Sequence, residues 1–371
     1  MGASLGFIPG FLATVLSEDL DVSRGMIGLI VGIYFGSTGI GSIPAGRFTD
    51  KFGARNVATI NMLLVAGSSL LIAFFDNYAM WIIGSVVGGM GYALGNTSTN
   101  VAIGHAVPLE RRALAMSVKT SGVPLMATIA AAITPWAANV WSWERVLVFN
   151  AIVAAISGIF TYFVLDDDRS ESTTGSAPIP LPKDFYWFGI AAFLLIGGSQ
   201  PLYSWTVSYL EESLNAPASL SGGIMAIASF TGVIVMICNG VWADRLGELK
   251  RIPLVMLLLS VSALSVCLVI LGTILGTFIV VIGLTLGVST QLAAIGTMHA
   301  AVIDKAPKSV GRATGITMTG YYLGALVTPA GFGLLVDISG TYIYSWLATL
   351  VILITAVGAW HRAGKVQTQR H

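Results

Sequence analysis

Charge is what this chain has least of. Lysine, arginine, aspartate and glutamate together make up 10% of its 371 residues, where a soluble domain carries about 25%. With a mean hydropathy of +0.82, most of the surface must face lipid or other apolar helices, which excludes an ordinary water-exposed globule. The net charge of +1 supplies no basic field for nucleic acid. Cysteine is nearly absent. Cys238 and Cys267 both lie in apolar runs and read as small buried hydrophobes rather than a disulfide or a metal pair. The four histidines are scattered, with no metal-spaced His and Glu and no Ser–His pairing. A membrane-embedded enzyme therefore lacks its constellation, and no motif asks for a cofactor or a metal. The first cation is Arg24, so Met1–Leu16 lacks the positive start of a cleavable signal.

Long apolar runs are what the chain does have. A membrane helix takes about 20 predominantly apolar residues. Such runs fall near 1–16, 26–46, 55–75, 79–103, 113–136, 144–165, 185–210, 221–243, 252–273, 276–301, 312–336 and 342–360. Six lie on each side of DDDRSESTTGSAPIPLPKD, a stretch of acids, Ser, Thr and Pro that reads as a flexible linker. The expectation is an all-α membrane protein of twelve helices. It comprises a six-helix bundle over 1–165, a linker over 166–184, and a second six-helix bundle with a short tail over 185–371. The run at 1–16 makes only about 24 Å of helix against roughly 30 Å of hydrocarbon. The first helix is expected to be short, with the chain starting inside it.

The two halves share a motif. Residues 46–55 read GRFTDKFGAR and residues 240–251 read GVWADRLGELKR. Gly46, Asp50 and Gly53 become Gly240, Asp244 and Gly247, and Lys51 is answered by Arg245. The same spacing carries Glu18 to Glu212, Gly28 to Gly222 and His105 to His299, the pattern of an internal repeat. With the first copy placed inside, Lys and Arg crowd the inner side and only Arg24 and Arg145 lie outside. That asymmetry orients the chain with both termini cytoplasmic. Tyr78, Trp81, Trp136, Trp141, Trp143, Tyr342 and Trp346 then gather at the outer headgroup level.

Each motif copy reads as a polar turn between two spans. Asp50 precedes the third span, where unpaired N–H groups and the helix dipole favour a carboxylate. Gly53 permits a positive φ. Lys51 and Arg55 hold the turn at an anionic leaflet. The turn is then a topology anchor. Glycines crowd the second span (Gly28, Gly32, Gly36, Gly39, Gly41) and the fourth (Gly84, Gly88, Gly89, Gly91, Gly95), which suits close helix packing or helices that slide.

With twelve spans, a six-plus-six layout, a central linker and the turn motif after spans two and eight, the chain resembles the major facilitator superfamily of secondary transporters. RRALAMSVKTSGVP at 111–124 and GRATGITMTGYYLGALVTP at 311–329 are similar to its cyanate-permease and anion-symporter branches. The fourth span has no Arg, and the glycine-proline signature of the fifth is reduced to Gly122-Val123-Pro124, departures from the proton-coupled drug exporters. The resemblance implies alternating access in a monomer of the inner membrane. It also implies that Gly46, Asp50, Lys51, Gly53 and Arg55, with Gly240, Asp244, Arg245 and Gly247, form a latch between the two bundles. It implies further that spans one, four, seven and ten line a central cavity. The candidate solute contacts there are Asn96, Asn100, Gln200, Tyr203, Trp205 and Gln291.

One charge falls inside a span. Lys119 lies seven residues beyond Arg112, about 10 Å into the fifth span. It either snorkels to the inner interface or faces the cavity and meets an anion. No carboxylate lies mid-span to carry a proton, and His105 and His299, at inner span ends, read as solvated. The expected activity is transport of a small solute, a monoanion if Lys119 faces the cavity and a neutral metabolite or drug if it snorkels.

Overall fold

The computed structural model describes residues 2–22, 24–75, 77–165 and 180–367, with no strand among them. Two short helices come first, α1 (Ser4–Phe11) and α2 (Ala13–Asp19). They are followed by α3 (Arg24–Phe52), α4 (Ala54–Phe74), α5 (Tyr78–Ala106), α6 (Arg112–Val140) and α7 (Trp143–Val164). Beyond the linker come α8 (Tyr186–Ser204), α9 (Thr206–Leu214), α10 (Ala218–Leu246), α11 (Glu248–Leu275), α12 (Thr277–Lys305), α13 (Val310–Ser339) and α14 (Ile343–Gly364). Ten of the described helices are long and apolar enough to cross a membrane. Helix α6 has spanning length at 29 residues, and α1 with α2 occupies the first expected span. The fold is the twelve-span, all-helical arrangement that the sequence implies.

Two spans are broken. Between α1 and α2 the chain bends at Leu12, with Pro9 inside α1. Between α8 and α9 it bends at Trp205, four residues after Pro201, whose ring removes one backbone donor. The expected linker lies, up to residue 179, outside the described residues, as does the side chain of Trp136.

Large apolar side chains point outward. Leu29, Phe74, Phe163, Ile274 and Phe278 are each more than half exposed, the inverse of a soluble protein and what a lipid-facing surface needs. Inside, Ser and Thr return their hydroxyls to the preceding turn. Thr38 donates to the Tyr34 carbonyl at 2.8 Å and Ser42 to the Thr38 carbonyl at 2.7 Å, which gives these hydroxyls an acceptor where lipid and packed helices leave no water.

The chain divides into two compact units. The first holds residues 1–106, 122–180 and 308–319; the second holds 107–121, 181–307 and 320–371. In the first, α3 packs on α5, and α4 packs on both α5 and α7. In the second, α10 packs on α12, and α11 packs on both α12 and α14. The pairings repeat helix for helix, as a duplicated design requires. The starts of α6 and α13 are exchanged: the opening turns of each belong to one unit and the remainder to the other.

Three expectations need correction. The motif copies are not loops: α3 continues through Phe52 and α10 through Leu246, and only the glycine that follows breaks each helix. The outer aromatics do not all sit at a headgroup level. Trp81, Trp143 and Trp346 are at most 1% exposed. Trp81 and Trp143 pack at 5.6 Å, and the Trp143 indole donates to Asp19 Oδ2 at 3.0 Å, so ring packing takes them inside. Cys238 is exposed and Cys267 half-buried, because an apolar outer face gives a thiol no reason to hide.

Candidate functional site

Both motif glycines adopt the conformation that favours glycine. Gly53 has φ 82° and Gly247 φ 81°, values that a side chain strongly disfavours. The carboxylate three residues earlier does not cap the helix that follows it, as local sequence suggests. The N-cap of α4 is Gly53, and no side chain caps that end. Asp50 instead accepts from the N–H groups of Gly311 at 2.9 Å and Arg312 at 3.0 Å, the second and third residues of α13. Asp244 does the same for α6, accepting from Ala113 and Leu114, each at 2.8 Å. Both use two carboxylate oxygens on two of the orphan donors of a helix start, where the dipole adds to the attraction.

Glycine makes room for each cap. A Cβ added at Gly46 would collide with the Gly311 carbonyl, and one at Gly240 would come within 2.9 Å of Leu114 Cα. The repeated Gly-x-x-x-Asp spacing is therefore one device. The glycine lets a helix start approach, and the aspartate one turn later binds it.

The basic members of the motif do less at these caps. Lys51 lies 5.1 Å from the Phe52 ring centroid, and Arg55 stacks over Tyr162 at 4.6 Å. Arg245 is exposed.

The second copy carries an ionic cluster that sequence reading missed. Arg251 is fully buried. It donates to Asp244 Oδ1 at 2.8 Å, to Asp304 Oδ2 at 2.5 Å and to the Leu109 carbonyl at 2.5 Å. Arg112, the first residue of α6, pairs with the other oxygen of Asp304 at 2.9 Å. Charges this deep persist only when paired and hydrogen-bonded. The available signal was weak: Asp304 and Arg251 are ordinary span-end charges until the fold brings α10, α11 and α12 together.

The structure brings some candidate solute contacts together. In the second unit, the Gln291 amide donates to Gln200 Oε1 at 3.4 Å, with Gln291 buried at 3% exposure. Trp205 donates to the Pro329 carbonyl at 3.0 Å and stacks on Phe332, so it braces α13 at the bend. Tyr203 is exposed. In the first unit, Asn96 and Asn100 are buried, and Asn100 donates to Thr314 Oγ1 at 3.4 Å.

Lys119 belongs to the second unit and is half-buried. Two residues before it, Ser117 packs against α10 and α12. A Cβ at Gly296 would come within 2.8 Å of Ser117 Cα. The reading of His299 as solvated is wrong: it is buried at 5% exposure. Helix α12 carries it inward because nearly every residue of its second half is packed.

Comparison with known proteins agrees with this architecture. A 4-hydroxybenzoate transporter of Acinetobacter baylyi is 23% identical over 158 residues, 43% of this chain and 35% of that protein. A nitrite extrusion protein of Bacillus subtilis is 24% identical over 403 residues, covering 99% of this chain and 96% of the relative. Among solved structures, the E. coli fucose:proton symporter superposes with a TM-score of 0.72 at 15% identity, over 97% of this chain and 96% of that one. The family model of the Major Facilitator Superfamily matches residues 1–329, and the chain belongs to that superfamily of secondary transporters.

Proposed function

We propose that this transporter moves a small organic or inorganic monoanion across the inner membrane by alternating access, with both termini cytoplasmic. The observation that carries the reading is that α6 meets α12 at Ser117 and Gly296 in the second unit, which brings Lys119, two residues on, to the stretch of α12 that holds the buried His299. Two basic side chains at one depth among apolar helices repel each other when both are charged, and an anion relieves that repulsion. Nitrite and 4-hydroxybenzoate, for which two relatives are named, are both anions. Gln200 and Gln291, paired by one long hydrogen bond, supply amide donors that exchange partners at low cost. Asn96, Asn100, Tyr203 and Trp205 complete the proposed solute contacts.

The two aspartate caps act as conformational latches. Each holds the start of one helix in one arrangement, and the transport cycle breaks and remakes it. A cap of this kind is worth about 1 kcal/mol, small enough for solute binding to overcome.

The test is uptake by purified protein in liposomes against a panel of small anions and neutral metabolites. Lys119→Ala should abolish anion uptake and leave stability unchanged or higher, since it removes a desolvated charge. Lys119→Arg should keep the charge and lose much of the activity, because a planar guanidinium needs other geometry. Anion uptake by Lys119→Ala at the parent rate overturns the assignment.

A further inference from the structure

We propose that His299 is the proton-binding residue of this transporter, and that a proton and the anion occupy the His299–Lys119 pair together. The inference rests on the anion reading above and adds the coupling ion to it.

The register of the helices sets the pair. Arg112 at the start of α6 is bonded to Asp304 near the end of α12, so these two helix ends share one level. Lys119 is seven residues along α6 from that level, and His299 is five residues back along α12. At 1.5 Å per residue the two lie about 10 Å and about 8 Å inward. The helices touch between these points, at Ser117 and Gly296. The His299 imidazole, three residues along α12 from that contact, is 5% exposed.

The surrounding charges leave the role to this pair. Helix α8, packed on α12, carries Tyr186 and Tyr203 but no Asp, Glu, His, Lys or Arg. Asp244 and Arg245 lie in the last turn of α10; Glu248, Lys250 and Arg251 open α11. Asp304 is already held by Arg251 and Arg112, and Lys305, next on α12, donates to the carbonyls of Gly364 and Val366. No carboxylate shares the depth of His299 on these elements. Histidine is the side chain whose ordinary charge change falls near pH 6.5.

The coupling follows from charge. With the site empty, a proton on His299 would put two cations side by side in a water-poor interior, which is unfavourable. A bound monoanion offsets one of them, so the anion makes protonation easier and, by reciprocity, the proton makes anion binding tighter. On release of the anion the imidazole returns its proton to water, and one proton has moved with one anion.

The experiment uses the full chain in liposomes, with nitrite and 4-hydroxybenzoate as probes and a pH-sensitive dye inside. An inward gradient of about 1.5 pH units should accumulate the transported probe roughly 30-fold, since one proton per anion gives tenfold per pH unit. His299→Gln and His299→Asn should lose accumulation, to a ratio near one. Slower exchange of labelled anion should persist and lose its dependence on pH. Retained accumulation in either amide variant overturns the proposal. Should both variants fail to fold, the parent protein decides alone: proton uptake on adding the probe in weak buffer supports the pair, and none overturns it. Lys119→Ala separates the two readings. Uncoupled His299 variants together with unimpaired anion uptake by Lys119→Ala would remove the lysine assignment and leave His299 as the proton site.

Discussion

Asp50 and Asp244 perform the same capping with different neighbours, and substitution should separate them. Asp50→Asn keeps one acceptor and loses the charge, at a cost of about 1 kcal/mol. Asp244→Asn does the same and also weakens the hold on Arg251, which has no exposure to solvent. That approaches the ~3–5 kcal/mol of a broken buried pair, reduced because Asp304 remains. Thermal unfolding in detergent should therefore show a small shift for Asp50→Asn and a larger one for Asp244→Asn. Uptake should fall several-fold in Asp50→Asn at an unchanged yield of folded protein. Equal losses of yield and activity in Asp50→Asn would reduce the motif to a topology anchor. The motif was legible in the sequence, and so was the positive φ of Gly53, which Gly247 repeats. The partner of Asp50 was not, because it lies 261 residues away in the chain and a local reading offers only the adjacent helix. The burial of Arg251 and His299 escaped for the same reason: the depth of a span-end charge is set by the neighbours that cover it.

Glycine is used unequally along α3, and the helix can be tested as an element. Nothing lies within 4 Å of a Cβ placed at Gly28, whereas one at Gly46 would strike the carbonyl of Gly311. Gly28→Ala should be neutral or stabilising by up to about 1 kcal/mol, the helix-propensity difference. Gly46→Ala should push the start of α13 away, lengthen both Asp50 hydrogen bonds and lower uptake. Uptake by Gly46→Ala at the parent rate would show that the helix absorbs the methyl elsewhere. Composition placed the spans well, because lipid demands a long apolar run and the chain supplies one for each. It placed their ends less well. GRFTDKF is polar, yet it is helical to Phe52, since a helix end that leaves the hydrocarbon keeps its own backbone bonds and needs no apolar side chains to do so. The bend at Trp205 was signalled only by Pro201 nearby, and the bend at Leu12 was not anticipated.

At the scale of the molecule, the charges decide which way the chain faces. Among the described Lys and Arg, only Arg24 and Arg145 fall at the ends of helices opposite to the motif copies. Basic residues near short loops are retained on the cytoplasmic side, so the turns at Gly53 and Gly247, and the linker, should face the cytoplasm. An even number of spans between these like segments is required, and α4 to α7 supply four between Gly53 and the linker. Cysteine labelling tests this directly, in a background with Cys238 and Cys267 replaced by serine. A cysteine at Asn77, between α4 and α5, should react in intact cells with a membrane-impermeant maleimide. A cysteine at Ser176, in the linker, should react only after the membrane is permeabilised. The opposite pattern would invert the orientation and place both aspartate latches on the outer side, where they would hold a different gate shut.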